Sequence, residues 1–67
     1  MQGLLIGQFG RFVFVNDWND PFDIEGLRIT EMDQHRVWLT GMDGDIHNVK
    51  KANIKLFEPM RRKMYYF

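Results

Sequence analysis

The sequence predicts an all-β domain, a small antiparallel barrel of five or six strands. Three observations carry this expectation. Leu27, Ile29, Val37 and Leu39 alternate with Arg28, Thr30, Arg36 and Thr40, the period of a strand with one apolar face. Asp43-Gly44 lies between two strand-like runs, and Asp-Gly is a strong hairpin signal because both central residues need positive φ. Phe12-Val13-Phe14-Val15 is β-branched or aromatic throughout, as strands prefer.

Taken in order, residues 4–6 (Leu4-Leu5-Ile6) form an apolar run between glycines, read as a first strand or half of a bent one. Gly7 and Gly10 permit the bend. The next strand is apolar on both sides: Phe12 and Phe14 face one way, Val13 and Val15 the other. Two arrangements account for it. A terminal segment covers the second face, or that face meets a partner.

Residues 16–23 are read as the longest loop, rich in Asn, Asp and Pro. Asp17 and Asn19 fit the first two positions of a calcium-loop pattern, but Pro21 falls on the third and Phe22 on the position that demands glycine. No metal site is expected there. Trp18 and Phe22 are expected to fold back and plug one barrel end.

Gly26 precedes the three-strand meander. A three-residue connection over residues 33–35 pairs Ile29 with Leu39 and Glu31 with Val37, segregating apolar from polar faces. The second hairpin is ambiguous. A two-residue Asp43-Gly44 loop puts Ile46 on the Leu39 side and Val49 on the Trp38 side; a longer loop reverses them. Lys50-Lys51-Ala52-Asn53 suits a single 3₁₀ turn. Ile54-Lys55-Leu56-Phe57 is a last short strand that Pro59 ends, since proline cannot donate to a ladder. The basic and aromatic tail, residues 58–67, is expected to pack on the barrel. Met60, Met64 and Phe67 fit one helix face, but Tyr65-Tyr66-Phe67 favours a strand pairing with the N-terminal run.

Sixty-seven residues make one domain, residues 1–67. No run approaches the ~20 apolar residues of a membrane span. Residues 1–7 lack the basic start and long apolar run of a signal peptide, and with Gly3 rather than a glycine at position 2 no myristoylation signal is expected. The start at Met1 is expected to be that of a complete small reading frame. With no cysteine, no disulfide staples the fold, which fits a cytoplasmic protein. Formal net charge is zero. That argues against a general polyanion binder, which needs surplus Lys and Arg, and leaves homo-oligomerisation open.

The run Gly26-Leu27-Arg28-Ile29-Thr30-Glu31-Met32-Asp33, then Val37-Trp38-Leu39, Asp43-Gly44 and Ile54, resembles the small SH3-like and Sm-like barrels of the Sm/Hfq type. The resemblance spans residues 12–57 and implies their fold. It departs from the Sm pattern in lacking an N-terminal helix and in having Asn53-Ile54-Lys55 where an Arg-Gly signature belongs. RNA binding therefore does not carry over to particular residues.

No catalytic or cofactor motif is present. His35 and His47 are the two neutral-pH bases. Neither has a nucleophile at a recognised spacing, so His35 reads as a turn residue and His47 as a solvated one. The outward face of the meander is the better candidate. Arg28, Arg36 and Trp38 share it with Thr30 and Thr40, with Met42 nearby, and Trp and Arg dominate binding hot spots. The alternative is that the tail covers Trp38. The expected function is a non-enzymatic module binding a protein partner, of the kind phages and mobile elements use as regulators or inhibitors. The alternative is an RNA- or single-strand-binding barrel, with Arg28, Arg36 and Trp38 as a stacking platform and Arg61, Arg62 and Lys63 on phosphate.

Overall fold

The computed structural model describes residues 1–61. It holds five antiparallel strands: β1 Phe9–Val15, β2 Pro21–Met32, β3 Arg36–Thr40, β4 Ile46–Lys50 and β5 Ile54–Pro59. A 3₁₀ turn, Lys51–Asn53, precedes β5. The strands lie in the order β4-β3-β2-β1-β5. The chain is thus all-β and antiparallel, as expected. Among the described residues the ladder does not close, because β4 and β5 each pair on one side only.

The long strand β2 is the spine. Its first half pairs with β1 and its second half with β3. The change of partner falls at Arg28, just after a bulge where Arg11 on β1 faces the interval between Ile24 and Leu27. Gly26 sits there at φ 79°, a left-handed conformation that glycine adopts without penalty. One extra residue on one strand bends the sheet and raises its twist. Gly10 answers a different need: a Cβ there would collide with the Glu58 carbonyl of β5.

The bend wraps apolar side chains into one cluster of Phe12, Phe14, Leu27, Ile29, Val37, Leu39, Val49 and Ile54. Phe57 tilts against Phe12 and Phe22 stacks on Phe14, with centroids 4.7 and 5.1 Å apart. Ile29 pairs with Leu39, as the alternation predicts. The pairing of Glu31 with Val37 does not form. A bulge at Thr30 moves Glu31 opposite Trp38 and Met32 opposite Val37. Thr30 turns its hydroxyl to that of Thr40 at 2.7 Å instead. The second hairpin takes the longer loop: Val37 pairs with Val49 and Thr40 with Ile46. Val49 is therefore buried and Ile46 exposed.

Residues 4–6 are not a strand. Positive φ at Gly3 and Gly7 turns the backbone at each side of them. The segment runs from the Met1 ammonium, which donates to the Lys51 carbonyl, to Gly7 N–H, which donates to the Ile29 carbonyl. Leu4 joins the inner cluster, while Val13 and Val15 on the opposite side of β1 stay half-buried. Pro21, Phe22 and Asp23 also differ from expectation. They belong to β2, with Pro21 at its first position, where no ladder donor is needed. The last strand extends through Pro59, and Met60 N–H still donates to the Phe9 carbonyl. The tail's expected pairing rests on residues 62–67, which lie outside the described residues. Among the described residues no helix is long and apolar enough to cross a membrane.

Candidate interaction surface

The β1–β2 loop, residues 16–20, is organised by Asn16. Its Oδ1 accepts from the backbone N–H groups of Trp18 and Asp20, both at 2.9 Å. Its own backbone N–H donates to the Asp20 carbonyl and its carbonyl accepts from Asn19, both at 3.0 Å. Asn19 adopts φ 68°, a conformation Asn tolerates better than most residues. Outside the loop, Arg36 Nη2 donates to both oxygens of Asp17 at 3.0 and 3.2 Å. Arg36 Nη1 also reaches the Asn48 carbonyl and Oδ1 at 3.4 and 3.3 Å. The loop is held from within and from β3.

This framework presents Trp18 with 81 % of its surface exposed. Trp18 does not plug the sheet, although Phe22 does pack inward. The reason is local. Asn16 Oδ1 fixes the Trp18 backbone while Asp17 is drawn onto Arg36, and in that conformation the indole stands in solvent. Trp18 was not among the candidates read from the sequence. A signal was present, since it is a lone aromatic flanked by Asn16, Asp17, Asn19 and Asp20.

The sequence-predicted residues divide. Arg36 and Trp38 lie on β3 facing away from Leu39, and both are half-buried. Trp38 is opposite Glu31 and Asn48. Arg28 shares that side but folds back: its Nη1 donates to the Gly7 carbonyl at 2.9 Å, and its guanidinium lies 5.0 Å from the Phe9 ring centre. Met42 is set apart at the β3–β4 turn, 53 % exposed. Arg61 is exposed, and Arg62 and Lys63 lie outside the described residues.

His47 is not simply solvated. It faces inward at the rim, with its ring edge toward Phe14 and 5.8 Å from Phe22. His35 is a turn residue, as expected. Its backbone N–H and that of Arg36 donate to Asp33 Oδ1 at 2.8 and 2.7 Å. Those two donors hold the Asp33 carboxyl below its ordinary pKa. On the β1 side, Arg11 grips Asp23 through two 2.8 Å hydrogen bonds and reaches Glu58 at 3.4 Å. The Arg11 hydrogen bond likewise lowers the Asp23 carboxyl.

An open groove of about 440 Å³ lies where β2 parts from the β3–β4 turn. Ile24, Leu27 and Met42 line it, with Glu25, Asp43, Asp45 and His47. Among the described residues no group of three or more His, Asp or Glu is arranged to hold a metal ion. Compared with known proteins, the chain matches no family model, no curated protein and no solved structure.

Proposed function

We propose that this protein is a non-enzymatic interaction module that binds a protein partner, with Trp18 as its anchor. The observation that carries the reading is the exposed indole of Trp18 on a loop whose backbone is already hydrogen-bonded in place. A large aromatic group in water gains most when a partner covers it, and a preorganised loop loses little entropy on binding. Arg36 and Trp38 on β3 form the adjoining face, joined to the loop through Asp17.

The strand order and the 3₁₀ turn before β5 support an SH3-like or Sm-like reading of the sheet. The absence of cysteine suits a cytoplasmic module. Nucleic-acid binding is less well supported. Arg28 and Arg36 are both engaged within the chain, and net charge is zero. A regulator or inhibitor role follows the same interaction logic.

Site-specific photocrosslinking in the native host tests this. Benzoylphenylalanine replacing Trp18 should yield one discrete protein adduct, while the same group replacing Lys55 on β5 should not. Recovery of RNA adducts, or equal crosslinking from both positions, would overturn the reading.

A further inference from the structure

Trp18 is not among the described residues that line the groove beside the β3–β4 turn. Part of its wall is apolar: Ile24 and Leu27 from β2, with Met42 as an exposed lip. Gly26 and Gly41 lie in the lining, and neither carries a side chain to fill it. A Cβ at Gly26 would approach Met42 Cε to 3.1 Å, so the glycine keeps the space beside the methionine open.

Three carboxylates away from this groove are held by arginines, whereas those at its rim are not; Glu31 on β2 is likewise without an ion pair among the described residues. Asp17 and Asp23 are paired with Arg36 and Arg11, and Glu58 lies within 3.4 Å of Arg11. Among the described residues, Glu25, Asp43 and Asp45 have no such cation. Asp43 Oδ1 accepts from Asp45 N–H at 3.2 Å, which leaves its second oxygen available. Among the described residues no lysine or arginine lines the groove. Residues 17–45 as a whole hold eight carboxylates against two arginines.

We propose that this groove receives a cationic side chain, arginine or lysine, from a basic segment of a protein partner. Long basic side chains suit such a surface because they have two parts. The methylene stem lies along Ile24 and Met42, and the charged head reaches the carboxylates at the rim. The proposal rests on reading the chain as a protein-binding module, but not on Trp18. It names the chemistry of the partner: a positively charged segment rather than an acidic one.

The test uses the full chain, isotope-labelled, titrated with acetyl-Gly-Ala-Arg-Ala-Arg-Ala-Gly-amide and followed by amide chemical shifts. Saturable shifts should concentrate at Gly26, Gly41 and Gly44. The Glu25→Gln/Asp45→Asn double variant should weaken binding about tenfold or more, the scale of one lost charge-assisted hydrogen bond. Its spectral dispersion reports folding in the same experiment, and the single Asp45→Asn variant serves if the double variant unfolds. A peptide with citrulline in place of arginine should leave the groove amides unmoved. Equal shifts around Asp17 and Asp20, unchanged affinity in the double variant, or a response to millimolar calcium without one to peptide would each overturn the proposal. Trp18→Ala should leave peptide binding intact. If Trp18 fails as an anchor while the peptide still binds the groove, the first reading falls and this one stands.

Discussion

Arg36 Nη2 holds both carboxylate oxygens of Asp17, 3.0 and 3.2 Å away, and so ties the β1–β2 loop to a strand that is not its sequence neighbour. Both side chains are partly exposed, so the pair contributes little to global stability. A double-mutant cycle with Arg36→Met and Asp17→Asn should give a coupling below about 1 kcal/mol. The local effect should be larger. Arg36→Met should lower the fluorescence anisotropy of Trp18, measured in a Trp38→Phe background, and speed hydrogen exchange at Asn19 N–H. Unchanged anisotropy would mean that Asn16 alone holds the loop.

Leu39 is fully buried where β2, β3 and β4 meet. Leu39→Ala should cost about 2–5 kcal/mol, a large share of the 5–15 kcal/mol typical of whole proteins. Chemical denaturation measures it. A loss under about 1 kcal/mol would contradict the packing described.

The register of the second hairpin has its own test. Val49→Thr buries a hydroxyl in the cluster and should cost about 1–3 kcal/mol. Ile46→Thr, on the exposed side of the same strand, should stay within about 0.5 kcal/mol of wild type. The opposite ranking would select the two-residue loop.

Much of this was legible in the sequence, because alternation reports which side of a strand is apolar. Ile29 and Leu39 pair as their pattern requires. The bulge at Thr30 was hidden, since a polar residue between two apolar ones looks the same whether paired or bulged. Ile46 and Val49 could not be ranked, because the deciding quantity was the length of the loop at Gly44. Pro21 and Asp23 read as loop residues from their types, yet pairing with Val15 and Val13 makes them strand. Residues 4–6 have strand composition but serve as a turn that inserts Leu4. The groove was missed because its parts are distant in sequence: Glu25 lies in the β2 bulge, and Asp43 and Asp45 flank Gly44 in the β3–β4 turn.

Asp33 supplies a pH test. Its carboxylate accepts two backbone N–H groups, which lowers its pKa in the folded chain. A depressed carboxyl stabilises the fold above its unfolded pKa of about 3.9 and loses that contribution as pH falls through the lower folded value. Asn at this position keeps an acceptor oxygen but cannot titrate. Wild type should therefore melt higher than Asp33→Asn at pH 7, with the gap narrowing below about pH 4. A gap independent of pH would mean that charge at Asp33 plays no part in the turn.

The central claim is that Trp18 is exposed to be bound rather than to support the fold. Calorimetric titration of the crosslinked partner, once purified, against wild type and Trp18→Ala tests it most directly. Trp18→Ala should melt within a degree or two of wild type and bind more weakly by about 2 kcal/mol or more, roughly thirtyfold. Unchanged affinity in a fully folded Trp18→Ala variant would contradict the account.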